Sequence, residues 1–249
     1  MGVAMGKRGT EVAKGASDII IADDDFSTLI EAIRMGRTIY SNIQKFTAFL
    51  LSWNLGVTGL ILLSVLIFGG SAAVFLPLQI LFLNVVLEDL PAIALGLDTP
   101  EKDVMKLPPR NPKSKFLPKK IWALILGLGI YMCLMSLAVF LLHAYDLLLA
   151  RTMAFVVFSL FVNFNVFNFR SLHESTIFTA LRKNWLLLGA VLASFGLTLL
   201  AMYTKGGASV FKFVPISLNH WIFAALVAFS ILPMGELLKK SIFSGQSVD

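Results

Sequence analysis

Charge is what this sequence has least of. Asp, Glu, Lys and Arg make up 14% of its 249 residues, while 57% are hydrophobic; an ordinary soluble domain carries about 25% charged residues. A water-soluble enzyme is excluded. Cysteine is nearly missing too. Cys133 stands alone inside an apolar run, which leaves no intrachain disulfide and no thiolate cluster for a soft metal, and it reads as a small packing residue. Histidine is scarce: His143, His173 and His220 all fall at the ends of apolar runs. The first 45 residues are charged throughout and hold no compact apolar core before a small-residue cleavage site, so they do not read as a signal peptide. Internal repeats, low-complexity tracts and the inverted symmetry of secondary transporters are likewise missing.

What the sequence does hold is six apolar stretches of bilayer-crossing length, predicted at 46–68, 76–97, 118–142, 151–170, 184–204 and 218–238. A net charge of +6 would suit nucleic acid, but its distribution argues against that partner. Eighteen of the 21 Lys and Arg lie in alternate segments, 1–45, 98–120, 170–183 and the tail after 238, leaving only Arg151, Lys205 and Lys212 on the other side. That is the positive-inside pattern, so both termini are expected in the cytoplasm and the lipid bilayer is the expected partner. Outer loops are expected at 69–75, 143–150 and 205–217, the first turning tightly at Gly69, Gly70 and Ser71. The 98–120 connection, with Pro100, Pro108, Pro109, Pro112 and Pro118, is expected to be stiff and cytoplasmic. Its basic residues from Lys102 to Lys120 suit a solvated face, or contact with anionic lipid or a cytoplasmic domain. Trp53, Trp122, Trp185 and Trp221 lie near span starts and suit interfacial anchors.

The start of the chain has a different character. Ile19, Ile20 and Ile21 suit a buried strand, an acidic turn follows, and Ser27 with Glu31 suits the cap of a helix that meets no Pro before the first span. Forty-five residues with one strand bury no core of their own, so this piece is expected to close a larger domain. The fold class expected is therefore an all-α polytopic membrane protein, six transmembrane helices preceded by a short cytoplasmic α/β remnant.

Acidic residues at membrane depth cost about 2.5 to 3.5 kcal/mol each and are functional candidates by default. Glu88 and Asp89 are the two here. Asn84 and Glu88, spaced i, i+4, share a helical face and present an amide oxygen beside a carboxylate, a hard cation's ligand set. Pro91 removes the backbone donor that would serve Leu87, so local irregularity and freed carbonyls are expected there. Asn54 on the preceding span, and Asn163, Asn165 and Asn168 on the fourth, offer further oxygens; the alternative is that these asparagines only tie helices together. Asp89 points about 100° away from Glu88, where pairing with a neighbour or water is as good a reading as ligation. No His or Cys lies near Glu88, so zinc or copper lacks its ligands and a hard ion or a proton remains.

Two stretches, GVAMGKRGTEVAKGASDIIIADDDFSTLIEAIRMGRTIYSNIQKF and NVVLEDLPAIALG, resemble the P-type cation-transporting ATPases, specifically the calcium-pump-like branch. The likeness covers essentially the whole chain. It implies that 1–45 is the end of a phosphorylation domain with its stalk helix, that 46–97 is a transmembrane pair bearing ion-site residues, that 98–120 is a cytoplasmic loop, that 121–238 is a four-helix membrane domain, and that 239–249 is a cytoplasmic tail. It also implies ATP, magnesium and a transported cation, most simply calcium, for the complete pump. The chain departs from such a pump in lacking the DKTGT, GDGxND and PEGLP motifs, so no catalytic residue is assigned to it. It reads as a fragment or split gene product whose partner is the missing N-terminal part.

Residue by residue, the resemblance makes Asn84 and Glu88 the asparagine and acid of the family's NxxTD motif, with Leu87 in place of the threonine, and makes Asn54 a third ligand. Val57 and Val162 stand at or beside positions where the two-calcium pump has glutamates. One carboxylate implies one cation per cycle. The resemblance further implies alternating access driven by aspartyl phosphorylation in the missing domain and transmitted by the stalk helix. Competing expectations are a freestanding six-helix channel or ion-binding protein, and an inactive gene remnant.

Overall fold

A computed structural model describes residues 2–69, 73–99, 104–106, 108–109, 113–172 and 184–243. Gly70, Ser71, Pro100, Lys102, Pro112, His173 and the end of the tail lie outside the described residues. Two compact units result, one of residues 1–41 and 99–111, the other of 42–98 and 112–249.

In the first unit β1 (Val3–Met5) and β2 (Ile19–Ile21) form a parallel pair, Val3 opposite Ile19 and Met5 opposite Ile21, joined through α1 (Glu11–Gly15). Thr10 caps α1 by accepting from the Ala13 amide at 3.2 Å. The strand at Ile19–Ile21 agrees with expectation, but only Ile21 is buried and Ile20 is 50% exposed. Strand β1 is an addition: a Val-Ala-Met triplet between glycines carries little strand propensity, and pairing with the isoleucine run supplies what propensity does not.

The acidic turn organises this unit. Asp24 adopts a left-handed conformation (φ 58°), and its carboxylate accepts from the Lys7 amide at 2.8 Å and the Arg8 amide at 2.7 Å. The Lys7 amide, followed by that of Arg8, holds the Asp24 carboxyl below the usual carboxylate range; the Thr28 hydroxyl, at 2.6 Å, is the first cause of the same shift at Asp23. The helix cap falls to Asp25, which accepts from the Ser27 amide at 2.9 Å, and not to Ser27. Helix α2 (Phe26–Phe68) has already begun at Ser27, and a carboxylate one residue before the helix is the better acceptor for first-turn amides.

The second unit holds the apolar helices. From Asn42 onward α2 contributes its membrane half. Next come α3 (Pro77–Phe82), a π-helical turn (Leu83–Glu88) and α4 (Asp89–Gly96), which together form one span, then α5 (Lys119–Leu142), α6 (Leu147–Phe169), α7 (Trp185–Tyr203), the short α8 (Lys205–Phe211), and α9 (Leu218–Phe229) running into α10 (Ile231–Phe243). Among the described residues six helices are long and apolar enough to cross a membrane. Expected and observed spans agree to within a few residues, with instructive exceptions. Helix α6 starts at Leu147, ahead of Arg151, because Asp146 caps it and Arg151 Nε reaches the Ala73 carbonyl at 2.8 Å. The last span divides at Ser230 because Pro233 cannot donate to the Phe229 carbonyl and crowds it. Helix α8 occupies part of the 205–217 stretch expected as loop.

Helix α6 forms the centre of the bundle, with Phe155, Phe158, Phe161 and Phe169 fully buried. Trp53 packs on Phe158 with ring centroids 4.2 Å apart and is itself fully buried. It is therefore a core residue and no interfacial anchor, whereas Trp122 and Trp185 are exposed. Helices α2 and α5 cross closely at Gly56 and Gly129: a methyl group on Gly129 would strike the Ser52 carbonyl and Leu55, the small-residue contact that lets membrane helices approach. Gly235 of α10 does the same against Asn168 of α6.

A buried ion pair clamps one end of the bundle. Arg170, just past α6, holds Asp98, just past α4, through Nε–Oδ2 at 3.0 Å and Nη2–Oδ1 at 3.3 Å. Asn184, which caps α7, donates to the same carboxylate at 2.6 Å, and Asn42 of α2 donates to the Asp98 carbonyl at 2.7 Å. Four helices thereby converge on one carboxylate residue.

Candidate cation site

The span Pro77–Gly96 is irregular where the sequence places its acid. Its middle turn, Leu83–Glu88, is π-helical, a distortion frequent at functional sites, and it ends three residues before Pro91. The wider turn keeps Asn84 and Glu88 on roughly one side. Glu88 is 3% exposed, while Asp89 is exposed. The two adjacent acids therefore part company, one inside the bundle and one outside.

Asn54 of α2 meets Glu88 directly. Its Nδ2 donates to Glu88 Oε1 at 3.1 Å and to the Leu50 carbonyl at 2.9 Å, although one side of Asn54 stays exposed. Asn84 is half-buried and its Oδ1, shielded from solvent, has no hydrogen-bond donor among the described residues. A buried carbonyl oxygen without a donor is costly unless something positive serves it. These three residues, separated by up to 34 positions in the chain, thus present a carboxylate and two amides to one region. Val57, Leu87 and Val162 are buried and offer no side-chain oxygen.

The carbonyl freed by Pro91 finds a partner that sequence reasoning missed. Leu87 O accepts from the Ser194 hydroxyl of α7 at 3.4 Å. The proline signalled the vacancy; nothing local to it points to a serine 107 positions away. On α6 the asparagines divide. Asn168 donates to Asn165 Oδ1 at 3.2 Å and to the Ile231 carbonyl of α10 at 3.0 Å, which is the helix-tying role. Asn163 donates to the Ser159 carbonyl at 3.2 Å, and its buried Oδ1 has no donor among the described residues. Among the described residues no three His, Cys, Asp or Glu side chains gather as a metal cluster, and the buried acids are Glu88 and the ion-paired Asp98.

Comparison with known proteins places the chain in a family. The family model described as "Cation transporting ATPase, C-terminus" matches residues 72–241. A calcium-transporting ATPase of Bacillus subtilis (strain 168) is 36% identical over 238 residues, covering 94% of this chain and 26% of that protein. The calcium-transporting ATPase type 2C member 1 of Homo sapiens is 35% identical over 243 residues, covering 96% of this chain and 26% of that protein. The chain spans about a quarter of the length of the curated relatives it matches. By the match over residues 72–241 and the likeness along nearly all its length, this chain belongs to the cation-transporting ATPase family and corresponds to its C-terminal membrane region.

Proposed function

We propose that this chain is the stalk and C-terminal membrane part of an ATP-driven pump for calcium or a similar hard cation, and that Glu88, Asn84 and Asn54 supply part of one cation site. The observation that carries the reading is Glu88 itself: a carboxylate buried at a π-helical turn, touched by an amide from another helix, beside an orphaned amide oxygen. A desolvated cation needs charge compensation, which Glu88 provides and the amides alone do not. Rotation of the Asn54 amide would exchange its donor for an oxygen, so the same contact serves the empty and the occupied site.

The cation is the cargo. Phosphorylation by ATP with magnesium belongs to the remaining part of the pump, supplied by the same parent polypeptide or a separate one. Helix α2 is continuous from Phe26 to Phe68 and would move Asn54 when its cytoplasmic end is displaced. The charge pattern supports both termini in the cytoplasm.

Sealed vesicles test the reading. Vesicles with the complete pump should accumulate calcium only with ATP, and vesicles with this chain alone should neither take up calcium nor carry acid-stable phosphate from ATP. ATP-independent cation flux through this chain alone would overturn the pump in favour of a channel, and radiolabel on it would overturn the division of labour.

A further inference from the structure

We propose that His143 and His220 form a second, separate metal site, one for a divalent transition-metal ion of the zinc, copper or nickel class. His143 follows the last turn of α5, and His220 lies in the first turn of α9. The fold brings their rings to 5.6 Å between centroids, inclined at 63°. Two imidazoles bound to one tetrahedral zinc, with Zn–N bonds of about 2.0–2.1 Å, have ring centroids roughly 5 to 5.5 Å apart. The pair is thus within a few tenths of an ångström of the spacing such an ion requires.

The tautomer of His143 is set for ligation, and that of His220 is compatible with it. His143 Nδ1 lies 2.9 Å from the Val139 carbonyl, which only accepts, so Nδ1 carries the proton and Nε2 keeps its lone pair. His220 Nδ1 lies 2.9 Å from Ser217 Oγ, a hydroxyl that can accept or donate there and that also accepts from the His220 amide at 3.5 Å; in the tautomer whose Nδ1 donates, the one a metal would select, Nε2 is open. Neither Nε2 has a partner among the described residues. A metal-binding histidine is held in this way, one ring nitrogen on a carbonyl or hydroxyl and the other turned to the ion.

Both histidines are half-buried, flanked by Phe223 at 6.1 Å and Tyr145 at 6.3 Å from the His143 ring. No third His, Cys, Asp or Glu joins them among the described residues, so water completes the coordination and the ion exchanges. Imidazole selects zinc, copper and nickel and offers nothing to calcium or magnesium, which take oxygen. The site is therefore chemically distinct from the one at Glu88. Its occupant would tie the end of α5 to the start of α9 and stabilise the pair by mass action.

The test is zinc titration by calorimetry of the whole 249-residue chain in detergent, without a polyhistidine tag, alongside electron paramagnetic resonance of the chain loaded with one equivalent of copper. One zinc per chain is expected, undiminished by millimolar calcium, with two nitrogen ligands in the copper spectrum. His143→Ala and His220→Ala should each weaken zinc binding at least about tenfold and leave one of those nitrogens; His173→Ala should change neither. Circular dichroism of each variant separates loss of a ligand from loss of the fold. Absence of stoichiometric zinc in the folded chain, or unaltered binding in the folded His143→Ala and His220→Ala variants, would overturn the site. Competition by calcium would overturn its chemistry.

Discussion

Replacing Arg170 by leucine should cost the bundle about 3 kcal/mol. Arg170 and Asp98 form a two-bond ion pair at 3.0 and 3.3 Å, and their side chains are 3% and 5% exposed. Breaking a buried pair from one side typically costs about 3–5 kcal/mol, because a charge is left buried without its counterion. Asn184 remains, donating to the same carboxylate at 2.6 Å, and a hydrogen bond to a charged group contributes about 1.5–3 kcal/mol, so the lower end of the range applies. Adding Asp98→Asn removes the stranded charge while keeping an acceptor for Asn184. The Asp98→Asn/Arg170→Leu double variant should therefore recover more than half of the loss. Unfolding of the full chain by SDS titration in mixed micelles, as a double-mutant cycle, measures both numbers. The reasoning fails if Arg170→Leu lies within about 0.5 kcal/mol of the parent, the range of an ordinary surface change, or if the double variant is no better than the single one.

Gly235→Ala should weaken the packing of α10 on α6 by about 1–3 kcal/mol, since the new methyl group would overlap the Asn168 side chain; Gly189→Ala, with open space around it, is the control for the same SDS titration. Asp24 has its carboxyl depressed by the Lys7 and Arg8 amides, so its contribution is present above the unfolded carboxylate range near about 4 and lost as the pH falls through the folded value. Protection of the Lys7 and Arg8 amides against hydrogen exchange should accordingly decline on acidification below that range, and Asp24→Asn should flatten the profile; identical profiles would count against the turn's role. In a variant without Cys133, a cysteine replacing Ser209 should react with an impermeant thiol reagent added outside cells, and one replacing Ser114 should not. The opposite result would invert the topology.

The parts of this fold legible in the sequence are those set by one-dimensional physics. Bilayer thickness against apolar run length located all six spans, and Pro91 announced the irregular turn at Leu83–Glu88. The i, i+4 relation between Asn84 and Glu88, and the two adjacent acids at membrane depth, marked the candidate site before any contact was known. What escaped was non-local. Strand β1 exists because Ile19–Ile21 lies beside it, not because Val3–Met5 favours extension. Trp53 has the composition and position of an interfacial anchor, yet Phe158, from a helix about a hundred residues on, turns it into core. The Ser194 donor to Leu87 answers a need that Pro91 displays without naming who meets it, and the pairing of Asp98 with Arg170 has no local signal in the sequence. Local chemistry thus identified the vacancy beside Pro91, and tertiary packing chose the partners.

Glu88 and Asp89 sit side by side in the chain and on opposite sides of the bundle wall, so separate neutralisation of each tests the account most directly. The measurement is the calcium concentration giving half-maximal phosphorylation of the complete pump, in Glu88→Gln and in Asp89→Asn. Because Glu88 is buried against Asn54 while Asp89 is exposed, Glu88→Gln should abolish calcium-dependent phosphorylation, and Asp89→Asn should shift the midpoint by no more than about threefold, under 1 kcal/mol. Retained calcium dependence in Glu88→Gln together with its loss in Asp89→Asn would contradict the assignment of Glu88 as the cation's charged ligand.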